Sequence, residues 1–136
     1  MAQASGIELL QSEDRNPMET STYGTGELIL HAIQTGAKKI ILFVGGSATN
    51  DGGMGMACAL GYGFLDMDKL PLEGKGANLP LINQVSGPQL SLMKKIKEIA
   101  FFVATDVSNP LLGQLGASAV FGPQKGATLE NCSHYY

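Results

Sequence analysis

The stretch GGSATNDGG, Gly45 to Gly53, follows directly on the apolar run KKIILFV. Glycines at such a point let the backbone come close to a ligand and leave N–H groups free. The start of a helix favours an anion. Gly45 and Gly46 are therefore candidate backbone ligands for a phosphate or carboxylate, Ser47 and Thr49 candidate hydroxyl donors, and Asn50 a group that bonds in either sense. Asp51 suits Mg²⁺, proton acceptance or helix capping. Asn-Asp-Gly before a helix is also good capping chemistry that needs no ligand. The stretch fits no standard phosphate motif: no lysine completes GxxxxGK[ST], and GMGMAC lacks the third glycine of GxGxxG.

A second polar cluster repeats the logic. FFVATDVSNPL carries Asp106 and Asn109 just past an apolar run, with Pro110 stopping any helix. A carboxylate and an amide there suit Mg²⁺ or a hydroxylated substrate, although Asp106 also fits an ordinary Asx turn. In GPQKGA, Lys125 sits between glycines, where a lysine either holds a phosphate or simply points to solvent.

These residues need elements to position them. Ile7–Leu10 reads as a short strand, and the polar segment around Pro17 as a loop. A helix follows from the Thr22–Thr25 region, with Leu28, Ile29, Ala32 and Ile33 at helical spacing and Gly36 closing it. KKIILFV reads as a strand covered on both faces. The glycine turn opens a small-residue helix that runs into a strand near 62–65. Residues 66–80 read as a loop, Pro88–Lys97 as an amphipathic helix and EIAFFVATDV as a second buried strand. The order gives an α/β fold, with a mixed or mostly parallel sheet and flanking helices. In such sheets ligands sit beyond the carboxyl ends of strands, where both polar clusters fall.

Bulk properties narrow the classes. The 136 residues suffice for one domain, and a net charge of −3 without basic clusters gives no reason to expect a nucleic-acid partner. No apolar run approaches the roughly 20 residues of a membrane span, and no signal peptide is visible. Cys58 and Cys132 form no CxxC pair and read as free thiols. A cytoplasmic protein is expected. His31 has no evident partner and reads as packed or solvated. His134 lies in a terminal segment without assigned structure. Both ends resemble the interior of a longer chain.

Taken together, TSTYGTGELILHAI, GGSATNDGGMGMACALGYGFLD, TDVSNPLLGQLGAS and FGPQKGA resemble the bacterial class of the glycerate kinase family, over nearly the whole sequence. The opening MAQASGIELL is similar to that family's EMAxASGLxL segment. The resemblance implies ATP-dependent phosphorylation of D-glycerate with Mg²⁺. It also implies two α/β domains with a cleft between them, of which residues 1–136 are mostly the inserted one. On this reading Ser47, Thr49 and Asn50 hold the substrate carboxylate or a phosphate. Asp51 or Asp106 holds Mg²⁺ or takes the glycerate hydroxyl proton, Asn109 orients one of these groups, and Lys125 offsets phosphate charge. The family's DSFKGS-like and TGEG motifs are absent, and the segments LDMDKLPLEG and GATLENCSHYY are short against it. Catalysis is therefore expected to require the remainder of the same polypeptide. The rival class is a non-catalytic anion-binding α/β module.

Overall fold

The structure, a computed structural model, describes residues 1–128. His134 and Cys132 lie outside the described residues. The elements run α1 (Ala2–Ser5), α2 (Tyr23–Gln34), β1 (Lys39–Phe43), α3 (Met54–Ala59), β2 (Gly63–Leu65), β3 (Gln84–Ser86), α4 (Leu90–Lys97), β4 (Ala100–Ala104) and α5 (Ala117–Phe121), with 3₁₀ turns between several of them. β1 and β4 pair in parallel from Lys39↔Ala100 to Phe43↔Ala104, and β2 and β3 pair antiparallel. The expected α/β class with a mixed sheet arrangement and flanking helices is what forms.

The core lies between α2 and α3. Thr25, Ile29 and Ile33 recur every four residues on the buried side of α2, where α3 contributes Met54. A side chain at Gly26 would run into the Met56 carbonyl and the Ala59 methyl, so the two helices meet at backbone distance. Gly55 does the same on the other side: a Cβ there would strike Ser21 Oγ and crowd the Tyr23 amide and the Asp51 carboxylate. The 66–83 segment is no detached loop. Ser21 Oγ donates to the Gly74 carbonyl, Ala77 N–H to the Met18 carbonyl, and Lys75 pairs with Glu19 and Glu73 at 3.2 and 2.8 Å.

Two expectations need correction. Ile7–Leu10 is not a strand; Ile7–Leu9 forms a 3₁₀ turn. Among the described residues the extended pairing stops at the isolated bridge Gly6↔Ser47 just before it, and beyond that local bonds to the Gly6 and Ile7 carbonyls win. Nor are β1 and β4 covered on both faces. Phe43 is 66% and Val103 65% exposed, and Ile41, Phe101 and Phe102 are exposed too. Among the described residues each strand pairs only with the other, so the faces that a parallel sheet normally buries stay open.

Candidate functional site

The parallel pair places the Gly45–Gly53 loop, after β1, next to the Thr105–Asn109 loop, after β4. α5 and the Pro123–Lys125 turn close over them. Between these segments lies a cavity of about 350 Å³, lined in part by Gly45, Gly46, Ser47, Asp106, Gln124 and Lys125. Five of the nine expected site residues therefore converge there: Gly45, Gly46, Ser47, Asp106 and Lys125.

Each wall has a local cause. Gly46 has φ +69°, a conformation that a side chain resists. Its carbonyl accepts from Ile7 N–H at 3.0 Å, while Ala48 N–H donates to the Ser5 carbonyl at 2.9 Å. Thr20 Oγ1 donates to the Ala48 carbonyl at 2.9 Å. The loop is thus fixed from below, and the amides of Gly45, Gly46 and Ser47 donate no hydrogen bond among the described residues. Lys125 reaches across: its Nζ donates to Ser47 Oγ at 3.0 Å and to the Thr49 carbonyl at 2.7 Å. Burial pushes its pKa down, and the Asp51 charge pulls it part of the way back. A cation held at a cluster of free amides is chemistry for an oxyanion.

Asp106 is exposed and has no hydrogen bond or ion pair among the described residues. It is the carboxylate available to the cavity. Asp51 is its opposite, 1% exposed. Its Oδ2 accepts from Thr22 N–H at 2.8 Å, Thr22 Oγ1–H at 2.7 Å and Gly55 N–H at 3.1 Å, and its Oδ1 accepts from Gly53 N–H at 3.1 Å. The Thr22 hydroxyl oxygen in turn accepts from Met56 N–H at 2.8 Å. The anion at the start of α3 is therefore the protein's own, and the carboxylate expected to hold Mg²⁺ or take a proton is turned inward, away from the cavity. Gly53, at φ +79°, makes the bend that brings the chain back over Asp51.

Three other expected residues act around the cavity without lining it. Thr49 is buried and serves through its carbonyl, not its hydroxyl. Asn50 Nδ2–H donates to Ser118 Oγ at 3.0 Å, tying the loop to α5. Asn109 Nδ2–H donates to the Leu115 carbonyl at 2.9 Å, closing the loop that follows β4. His31 is solvent-exposed on α2, and Cys58 is a free, half-buried thiol.

Sequence reasoning missed Gln124, which lines the cavity within the quoted FGPQKGA. It also missed Thr22, which reads as a plain helix cap. Arg15 gave no signal at all. Its Nε–H is buried without a partner among the described residues, a condition that costs about 1–3 kcal/mol. Its backbone lies so close to Gly126 that a Cβ there would strike the Arg15 carbonyl.

Comparison with known proteins places this geometry. The model of the glycerate kinase family matches residues 1–135. A glycerate kinase from Haemophilus influenzae is 51% identical over 130 residues, covering 96% of this chain and 34% of that protein. A glycerate 2-kinase from Escherichia coli is 46% identical over 142 residues, covering 99% and 37%. The latter alignment is longer than the chain, so this sequence carries gaps against it. A crystal structure assigned as glycerate kinase 2 from Salmonella typhimurium LT2 superposes with a TM-score of 0.90 at 45% identity, covering 98% of this chain and 35% of that one. The chain thus spans about a third of the length of the curated relatives it matches. On the family match and the identities together, the chain belongs to the glycerate kinase family.

Proposed function

We propose that this chain is the central part of an ATP-dependent kinase that phosphorylates D-glycerate, with residues 1–136 forming most of one of its two domains. The observation that carries the reading is Lys125, fastened to Ser47 and the Thr49 carbonyl beyond the end of β1, beside the Gly45, Gly46 and Ser47 amides, which donate no hydrogen bond among the described residues. Phosphoryl transfer asks mainly for positioning and charge stabilisation, and this arrangement suits both. Lys125 offsets phosphate charge, while Gly45, Gly46 and the Ser47 hydroxyl and amide hold oxygen atoms. Thr49, Asn50 and Asn109 fix the loops that present them.

Mg²⁺ is handled by kinases through one or two carboxylates together with substrate phosphates. Asp106, exposed at the cavity and unpaired among the described residues, fits that donor set or the role of proton acceptor. Asp51, saturated by four donors, does not, so we assign it to holding the loop. Among the described residues no group of three or more metal-binding side chains forms, in keeping with a metal shared with the nucleotide. Mg²⁺ would supply charge neutralisation on the phosphate oxygens. No helix among the described residues is long and apolar enough to cross a membrane, and we infer a cytoplasmic enzyme.

The exposed apolar faces of β1 and β4 fit this reading, since the rest of the polypeptide would cover them. The test is glycerate-dependent release of ADP by the polypeptide extended to the length of its relatives. The name of the Escherichia coli relative points to the 2-hydroxyl as acceptor, so ³¹P NMR of the product should give 2-phosphoglycerate. Release of ADP that ignores D-glycerate would overturn the proposal.

A further inference from the structure

The cavity beyond β1 and β4 has charged groups for charged ligands, and its neutral polar side chains are few. Lys125 and the amides of Gly45, Gly46 and Ser47 suit an oxyanion, and Asp106 supplies a carboxylate. A hydroxyl on a ligand needs another kind of partner, one that donates or accepts without charge. Ile7, Val44, Val107 and Phe121 make the apolar part of the wall and offer a hydroxyl no side-chain partner. That leaves Ser47, Thr105 and Gln124. Ser47 Oγ already accepts from Lys125 Nζ at 3.0 Å. The Thr105 hydroxyl is turned to its own loop, accepting from Val107 N–H at 3.3 Å and donating to the Val107 carbonyl at 3.4 Å. Gln124 is exposed, and its carboxamide makes no hydrogen bond among the described residues. Its backbone is nevertheless set. Gln124 is the middle residue of the Pro123–Lys125 turn, which closes through Lys125 N–H to the Gly122 carbonyl at 2.9 Å and Gly126 N–H to the Pro123 carbonyl at 3.0 Å.

We propose that Gln124 is a specificity-determining residue of this site, whose carboxamide reads the hydroxyl of D-glycerate that is not phosphorylated. The proposal deepens the kinase reading and rests on it, with the 2-hydroxyl as acceptor, so the group read is the 3-hydroxyl. The substrate carboxylate and the transferring phosphoryl group are anions, and the Lys125 side of the cavity meets them. The 3-hydroxyl carries no charge and takes no part in the transfer. A carboxamide matches it by donating to its oxygen or accepting its hydrogen. Gln124 and Lys125 are neighbours on one turn, so the neutral reader and the cation are presented together. A site that spends a hydrogen bond on a substrate hydroxyl rejects the analogue lacking it, because the polar group is then left unpaired. Gln124 is exposed, so the expected discrimination is about tenfold, well short of the roughly 10⁴-fold of a sealed site.

D-Lactate keeps the carboxylate and the 2-hydroxyl of D-glycerate and lacks only the 3-hydroxyl. In the polypeptide extended to the length of its relatives, KM for D-glycerate and the inhibition constant of D-lactate are measured by phosphoglycerate formation. The wild type is compared with Gln124→Met, which keeps the length of the side chain and removes both hydrogen-bonding groups. The wild-type KM for D-glycerate should lie about tenfold below the D-lactate constant. Gln124→Met should raise that KM about tenfold with kcat nearly unchanged, as for a contact made equally in the ground and transition states. It should leave the D-lactate constant within about twofold, so that the gap closes. The urea midpoint should not move, since the side chain is exposed. If D-glycerate and D-lactate weaken together, Gln124 acts only through the turn that carries Lys125, and the inference falls. It falls equally if neither constant changes, or if ³¹P NMR shows 3-phosphoglycerate, because the 3-hydroxyl is then the acceptor. Each of these outcomes leaves the glycerate dependence of ADP release intact in the wild type. Failure of the kinase reading itself shows instead as ADP release that ignores D-glycerate.

Discussion

Two loops leave neighbouring ends of the same parallel strand pair, and each carries one aspartate. After β1 the chain bends through glycines back onto itself, and Asp51 ends under it with four donors around its carboxylate. After β4 the chain runs outward, and Asp106 remains exposed at the cavity, unpaired among the described residues. The difference does not come from the aspartates. It comes from what closes over them. Gly55 and Ser21 are small enough for α3 and the start of α2 to meet above Asp51, with Gly74 packed behind Gly55. Among the described residues no such segment covers Asp106. Burial converts a possible ligand into a structural anchor, because a buried carboxylate holds its place only by saturating its oxygens.

The strongest break of this comparison exchanges the two carboxylates' fates. In the polypeptide extended to its relatives' length, Asp106→Asn should cut glycerate-dependent ADP release by about 10²–10⁴-fold, the usual worth of a proton acceptor. Its stability should stay within about 0.5 kcal/mol, as for an exposed site. Asp51→Ala should instead lower the unfolding free energy by at least about 3 kcal/mol, since each stranded buried donor costs about 1–3 kcal/mol. Urea denaturation and turnover, measured on both variants, decide it. A stable Asp51→Ala protein without activity would mean that the roles are reversed.

Glycines sharpen the same contrast at smaller scale. A methyl at Gly55 meets Ser21 Oγ and the Asp51 carboxylate, whereas one at Gly45 meets nothing within 4 Å. Gly55→Ala should cost about 1–3 kcal/mol by overpacking. Gly45→Ala should leave the urea midpoint nearly unchanged and weaken only anion binding. Equal losses in the two would show that the loop's shape, not the packing above Asp51, sets the difference.

How far these roles were legible follows from the same physics. The α/β order and α2 could be read, because Leu28, Ile29, Ala32 and Ile33 keep helical spacing and Gly36 ends the run. The convergence of Ser47 and Asp106 was legible too, once both polar clusters were placed at strand ends, whereas Lys125 gained its place only through the family resemblance. Which aspartate faces the cavity was not: Asp51 and Asp106 are equivalent as letters, and the donors to Asp51 come partly from Thr22, twenty-nine positions away. The burial of β1 and β4 was misread for a related reason. A run such as KIILF specifies apolar faces, but whether anything covers them depends on chain elsewhere. Arg15 was invisible because nothing in RNP spacing announces that Gly126 will pack against it.

The smallest expected effect concerns Lys125, whose ammonium is fastened to the loop after β1. Burial lowers its pKa from the ordinary value of 10.5, and the Asp51 charge opposes this. A lysine so depressed binds fewer protons in the folded chain than in the unfolded chain between its two pKa values. The cost of burying the cation is therefore present in full below the folded pKa, and stability rises with pH across that window. Lys125→Met should remove this rise, seen as a flatter difference curve in urea unfolding from neutral to strongly alkaline pH. The lost bonds to Ser47 and Thr49 add an offset that pH does not change, so the slope, not the level, carries the information. Phosphate bound beside Lys125 would raise its folded pKa and should flatten the wild-type curve toward that of the variant. A slope that saturating phosphate leaves untouched would separate Lys125 from the ligand, and would make it a strut for the loop after β1, as Asp51 is beneath it.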